Sequence, residues 1–180
     1  PDGSSRAFLA LGLSDNVTYT YDPDQARGSR VQSVTVNGAA LDPNRAYRVG
    51  TFSFLAQGGD NFSTFAQGTA TRDSGLIDRD AWISYLQASS PVSPDFARQG
   101  VIVKGAPATA KAGTSVTLTV DKLDLTSLGS PANTALAVSW VPAGGTAVAL
   151  GSVPVTAGTA SVTATLPASA SGSGSLVLTA

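Results

Sequence analysis

The sequence predicts an α+β domain over residues 1–99 and an all-β sandwich over residues 100–180. Charge is concentrated in the first part, where eight Arg accompany ten Asp, whereas three Lys and two Asp follow residue 100. Apolar residues alternate with polar residues in both parts, but a helical period is found only in the first. Prolines at 91 and 94 and the glycine at 100 mark the change between the two parts.

The elements of the first domain follow from local patterns. Val17 to Tyr21 alternates apolar and Thr side chains, which predicts a strand, and Val31 to Val36 runs into the hairpin signal Asn37-Gly38. Ala46 to Phe54 is predicted as a further strand, and Asp78 as the N-cap of a helix that ends at Ser89. Three apolar residues with i, i+3 and i+4 spacing on this helix are predicted to lie in the core: Trp82, Tyr85 and Leu86.

The second domain contains short alternating runs separated by Gly, Pro and Asn turns, which predicts a sandwich. The runs are Ser115 to Val120, Ala135 to Val141, Ala147 to Leu150, Ala160 to Leu166 and Leu176 to Leu178. Trp140 lies in the third-strand region and could fill the core of an immunoglobulin-like fold, without a Cys pair. This part therefore resembles the disulfide-free bacterial Ig-like modules, a pattern shared by many all-β modules. Residues 168–175 are predicted to form a flexible loop.

The composition excludes several kinds of active site. The 180 residues include no His and no Cys, so a Ser-His-Asp triad, a Cys nucleophile and zinc ribbons are excluded. All twelve acidic residues are Asp, and the net charge of −1 comes with scattered cations, so we expect no nucleic-acid partner. No apolar run reaches the roughly 20 residues of a membrane span.

Two groups of aspartates invite comparison with cation sites. Asp22-Pro23-Asp24 starts like a calcium loop, but Ser33 stands at the twelfth position where a Glu is needed, so a turn is preferred. Asp73, Asp78 and Asp80 could surround a cation, but Asp also favours loops and the first turn of a helix. We therefore interpret both groups as structural.

The segment around Gly58-Gly59-Asp60 is the strongest candidate for a binding site. Paired glycines permit positive φ angles or close backbone approach, and the following Asp can present a carboxylate to a ligand. Phe54 lies just before this break and offers an aromatic face. The alternative is that Gly-Gly-Asp is an ordinary turn and that Phe54 belongs to the core.

These residues resemble the C-terminal substrate-binding domain of 5′-nucleotidases. The resemblance covers about the first 90 residues, and its blocks occur in the family's order: Phe8 to Leu13, Val17 to Pro23, Arg30-Val31 to Gly38, Tyr47-Arg48-Val49, Phe54 to Phe62, and Asp78 to Leu86. The resemblance implies that Phe54 stacks on the nucleobase, that Asp60 binds ribose hydroxyls, and that Gly58, Gly59 and Asn61 complete the substrate-binding loop. Asn61 replaces the family's usual Gly, and Asn tolerates left-handed backbone geometry.

The resemblance also implies what should lie elsewhere. The family's second stacking Phe and its Arg and Asn contacts belong to sequence that would precede Pro1, so we expect the chain to be a C-terminal fragment. The family's catalytic centre holds two divalent metal ions through several His and carboxylate ligands, and a chain without His cannot supply that centre. We therefore expect no catalytic residue and no cofactor in this chain.

The sequence leads to one main interpretation and two alternatives. We interpret the chain as the base- and ribose-recognition part of an exported, metal-dependent 5′-nucleotidase, extracellular or cell-wall associated, with an appended Ig-like module. Its partners would be a nucleotide or nucleoside and the catalytic metallophosphoesterase domain of the same parent chain. One alternative is a surface adhesion or spacer segment without a small-molecule site. The other is a phosphoesterase of the same family that acts on cyclic nucleotides or nucleotide sugars.

Overall fold

The computed structural model describes residues 9–180 and is rich in β-sheet with few helices. Phe8, the first residue of the resemblance to 5′-nucleotidases, lies outside the described residues. The strands are β1 (Val17–Tyr21), β2 (Val31–Val36), β3 (Ala39–Ala40), β4 (Gly100–Lys104), β5 (Ser115–Asp121), β6 (Ala135–Pro142), β7 (Val148–Pro154), β8 (Ala160–Thr165) and β9 (Gly174–Thr179). The helices are α1 (Ser53–Ala56) and α2 (Asp78–Ser89), with 3₁₀ turns at Gly59–Asn61 and Ser63–Gln67.

The strands after residue 100 form two sheets around one apolar core. Strands β4, β5 and β8 are neighbours in one sheet, and β7, β6 and β9 form the other. The core takes buried side chains from both sheets, with Val120, Leu136 and Val162 almost fully enclosed. Alternation along β5 and β8 points apolar residues inward, and their outward hydroxyls pair across the strands, as between Thr117 and Thr163 at 3.2 Å.

The prediction of short strands in this region is confirmed by β5 to β9, which coincide with the five predicted runs within a few residues. Trp140 lies on β6 and packs, partly buried, against the core. The resemblance of this region to Ig-like modules remains a prediction.

The sheet that contains β4 and β5 continues into the first part of the chain. Its strand order is β3-β2-β1-β4-β5-β8, because β1 pairs in parallel with β4 through Tyr19 and Gly100. Residues 13–41 therefore group with residues 96–180 in one compact unit, and residues 42–95 belong to a second unit with residues 9–12. The change in composition predicted a boundary between residues 99 and 100 instead. That division into two sequence domains remains a prediction.

The loop between β1 and β2 is anchored by Asp22. The Asp22 carboxylate accepts hydrogen bonds from the Asp24 backbone N–H at 3.0 Å and from the Gln25 amide at 3.1 Å. This geometry confirms the predicted turn at Asp22-Pro23-Asp24. Asp24 also bonds Lys104 on β4, with 2.6 Å between Oδ2 and Nζ, and this bond raises the pKa of the Lys104 ammonium.

Three local predictions for residues 42–95 are wrong. Residues 46–52 form no strand, since they have no ladder partner among the described residues, and Phe54 lies in the single turn of α1. Helix α2 has the predicted bounds, but its N-cap is Ile77, and the Asp78 carboxylate instead accepts from the Arg79 backbone N–H. The three residues assigned to its core face are exposed, because no described part of this unit covers them: Trp82, Tyr85 and Leu86.

No helix among residues 9–180 is long and apolar enough to cross a membrane.

Candidate functional site

The candidate site is one continuous segment, Ser53 to Gln67, in which α1 is followed by two 3₁₀ turns. Helix α1 ends where the Gly58 N–H donates to the Leu55 carbonyl at 2.9 Å. Gly58 has a φ angle of +86°, and a Cβ at this position would lie 3.3 Å from the Ser63 Cα. Gly58 is therefore required by both its backbone conformation and its close neighbour.

The aromatic ring of Phe54 lies flat against Gly59. A Cβ built on Gly59 would lie at nearly equal distances, 2.5 to 2.6 Å, from the Cε1, Cζ and Cε2 atoms of Phe54. Equal distances to three adjacent ring atoms place that position over the face of the ring, not at its edge. Since Phe54 nevertheless remains 58% exposed, its other face is open. The segment thus presents a flat aromatic surface on one side only.

Asp60 and Asn61 follow in left-handed conformations. Their φ angles are +50° and +67°, in a region that non-glycine residues seldom adopt, although Asp and Asn tolerate it best. The prediction that Asn61 accepts this geometry is confirmed. Both residues are exposed, and no described residue hydrogen-bonds to the Asp60 carboxylate, so its oxygens remain available to accept bonds.

The return path of the loop is held by local contacts. The Phe62 N–H donates to the Gly59 carbonyl at 3.1 Å, and the half-buried Phe62 and Phe65 rings pack with centroids 6.4 Å apart. These contacts fix the end of the loop, so the positions of Gly59 and Asp60 follow from backbone bonds and apolar packing.

The structure brings all five predicted site residues into this segment: Phe54, Gly58, Gly59, Asp60 and Asn61. The two glycines also differ in the reason for glycine, which sequence reasoning missed: Gly58 has a positive φ angle, and Gly59 faces the Phe54 ring. The five-residue spacing between Phe54 and Gly59 was a possible signal, because the ring of a residue in a one-turn helix can contact the loop backbone that follows it. Their roles in ligand binding remain predictions.

The residues considered as a cation site behave as local turn formers. The Asp73 carboxylate accepts from the Gly75 N–H at 2.8 Å, and Asp80 pairs with Arg79 at 2.9 Å. Within residues 9–180, no group of three or more His, Cys, Asp or Glu is arranged to hold a metal ion.

Comparison with known proteins places the candidate loop inside a recognised domain sequence. Residues 2–67 match the family model of the 5′-nucleotidase C-terminal domain. The match includes the whole segment from Phe54 to Asn61. It ends at residue 67, whereas the resemblance predicted from the sequence extends over about the first 90 residues. Residues 2–67 are thus similar in sequence to this domain.

Curated relatives agree with the family match. The chain is 33% identical over 79 residues to the protein UshA of Yersinia enterocolitica, an alignment that covers 43% of this chain and 14% of UshA. It is 34% identical over 85 residues to an apyrase of Tabanus yao, covering 43% and 15%. A 5′-nucleotidase-related protein of Glossina morsitans morsitans is 29% identical over 101 residues, covering 52% and 18%. The chain spans less than one fifth of these relatives, and no solved structure gives a significant match.

Proposed function

We propose that the first part of this chain recognises the base and ribose of a nucleotide, as the substrate-binding part of a 5′-nucleotidase-like phosphoester hydrolase. The observation that carries this proposal is the Phe54 ring, closed on one face by Gly59 and open on the other. It lies six residues before Asp60, whose carboxylate accepts no hydrogen bond from residues 9–180. The family match over residues 2–67 and the hydrolase relatives support the choice of ligand.

The roles of the loop residues follow from their chemistry. The open face of Phe54 stacks on a nucleobase, a contact worth about 1–3 kcal/mol that tolerates different bases because every base has a π face. The Asp60 carboxylate accepts hydrogen bonds from the ribose hydroxyls. The positive φ angles of Gly58 and Asn61 set the backbone conformation of the loop, and Gly59 leaves room for the Phe54 ring.

Hydrolysis itself is assigned to another part of the parent protein. We propose that the parent uses two divalent metal ions to activate water, held by the catalytic metallophosphoesterase domain of the same chain. The residues present here do not fit such a centre, since the chain has no His and residues 9–180 contain no metal-ligand cluster. No step of the proposal therefore runs through a metal ion bound to this chain.

We propose an exported location for the parent, extracellular or at the cell wall. The Cys-free, Ala- and Thr-rich composition and a sandwich region built from short strands support this location by association. The sandwich would serve as an Ig-like module appended to the recognition domain.

Titration with adenosine, followed by NMR on the 180-residue chain, tests the function. We expect weak binding, on the order of millimolar, because one stacked ring and one or two hydrogen bonds must offset the entropy of association. The amides of residues 54–62 should shift, and those of β5 to β9 should not.

A matched pair of variants sharpens this test. Phe54→Ala should weaken adenosine binding, whereas Phe52→Ala, which removes a ring of similar exposure (56% against 58%), should not. Equal effects of the two variants, or no shift at residues 54–62 in the unmodified chain, would overturn the recognition role and favour a segment without a small-molecule site. AMP with added divalent metal ions should yield no phosphate with this chain.

A further inference from the structure

The two adjacent glycines of the loop differ in what excludes a side chain. At Gly58 the positive φ angle disfavours any other residue, whatever space is available. Gly59 lies outside the left-handed region, so its backbone would accept alanine. The three atoms nearest to a Cβ on Gly59 all belong to the ring of Phe54. The ring, and not the backbone, is what demands glycine at this position.

Because Gly59 has no side chain, the Phe54 ring can lie against its backbone. A methyl group at 2.5 Å from ring carbons is far inside the usual 3.5 to 4.0 Å contact of two carbon atoms, so it would force the ring to leave. The Phe54 side chain is otherwise exposed, and it would turn to another rotamer in solvent. The ring would then lose its contact with the Gly59 backbone.

We infer that Gly59 is a positioning residue that holds the Phe54 ring as a one-sided stacking platform, with the inner face closed by its own backbone. The inference rests on the proposed function for the identity of the ligand, a nucleoside, but not for the placement of the ring. A single flat base therefore stacks on the outer face of Phe54, and Gly59 acts on binding only through that ring.

A measurement without ligand tests the placement. Hydrogens on a Cα that lies over an aromatic face resonate upfield of ordinary glycine, so the Gly59 Hα signals should be shifted upfield in the unmodified chain. Phe54→Leu should return them to ordinary glycine positions. An unshifted Gly59 Hα in the unmodified chain overturns the inference, whether or not adenosine binds.

A double-mutant cycle tests how Gly59 acts on binding. Gly59→Ala should weaken adenosine binding by at least about fivefold, the lower end of base–aromatic stacking, as Phe54→Leu does. In the Phe54→Leu background, Gly59→Ala should have no further effect, because the atoms that exclude the methyl group are gone. Gly50→Ala is the matched control, because no described atom lies within 4 Å of its Cβ and its φ is not positive.

The outcomes separate this inference from the proposed function. Equal additional weakening by Gly59→Ala in both backgrounds would mean that Gly59 contacts the ligand directly, and unchanged binding by Gly59→Ala would mean that it positions nothing. Either result overturns the inference and leaves nucleoside recognition standing.

If adenosine fails to bind the unmodified chain but the Gly59 Hα shift is present and depends on Phe54, the proposed function fails and the ring placement is upheld. Unchanged amide signals outside residues 53–67 show that the variants remain folded.

Discussion

The ring of Tyr19 covers the backbone of Gly100 at the point where β1 and β4 pair in parallel. A Cβ on Gly100 would lie 2.6 Å from the Cε1 atom and 2.7 Å from the hydroxyl oxygen of Tyr19. The Tyr19 N–H donates to the Gln99 carbonyl at 2.7 Å, so the backbone cannot easily move away from the ring. Strands β1 and β4 are distant in sequence, and at this pair the ring of Tyr19 fills the space that a side chain on Gly100 would occupy.

We expect Gly100→Ala to lower the free energy of unfolding by about 1–3 kcal/mol, the usual cost of overpacking. Urea unfolding monitored by tryptophan fluorescence measures it, with Gly12→Ala as the control because its Cβ would meet no atom of residues 9–180 within 4 Å. In the Tyr19→Leu background the loss should shrink, since the two positions are in contact. A loss of equal size in both backgrounds would contradict the contact as its cause.

A second prediction concerns the core of the sandwich and compares a buried leucine with an exposed one. Leu136 on β6 is 1% exposed, whereas Leu128 in the loop before β6 is fully exposed. Leu136→Ala should cost about 2–5 kcal/mol, because it removes apolar contacts and leaves a cavity. Leu128→Ala should change stability by no more than about 0.5 kcal/mol. Comparable shifts of the urea midpoint for both variants would contradict the placement of the core.

Much of the fold could be predicted because it follows from neighbouring residues. Alternation over Val17 to Tyr21 and over Ser115 to Val120 marks strands with two unlike faces, and both are present. Asn37 and Gly38 adopt φ angles of +53° and +75°, the positive values that their hairpin signal predicts. Signals of this kind depend on one or two residues and their immediate neighbours, so tertiary contacts did not override them.

The features that sequence missed depend on distant partners. The pairing of β1 with β4 joins residues about 80 positions apart, and no local pattern announces a parallel neighbour. The apolar spacing of Trp82, Tyr85 and Leu86 gave the helix correctly but not its burial, which requires a covering layer. In the candidate site the sequence indicates Phe54 and Gly59 as site residues, but the contact between the ring and the backbone depends on how the loop folds.

A third prediction follows from the left-handed conformation of Asn61. Asn61→Val should destabilise the loop by about 1–2 kcal/mol, because a β-branched residue crowds its backbone at positive φ. The Phe62 amide, which bonds the Gly59 carbonyl, should then exchange its hydrogen about 5- to 30-fold faster. Asn61→Gly should preserve the protection.

Asn44→Val serves as the control for this prediction. Asn44 is exposed in the same unit, and its φ angle is not positive, so the same change in side chain should leave the Phe62 amide unaffected. Equal acceleration by the Asn61→Val and Asn44→Val variants would contradict backbone strain as the reason.

The last prediction concerns stability in acid, and it depends on Asp22. The hydrogen bond from the Gln25 amide, followed by that from the Asp24 N–H, holds the pKa of the Asp22 carboxyl below its ordinary value of 3.8. A carboxyl with a lowered folded pKa contributes stability that is complete above pH 3.8 and is lost as pH falls through the folded pKa.

Asp22→Asn keeps an oxygen acceptor but cannot titrate, so the difference in Tm between this variant and the unmodified chain should narrow as pH falls from about 5 to about 2. Asp15→Asn, at an exposed position next to β1, is the control for the loss of one aspartate charge. A difference between the Asp22→Asn variant and the unmodified chain that stays constant over this range would show that the carboxylate charge contributes nothing to the turn.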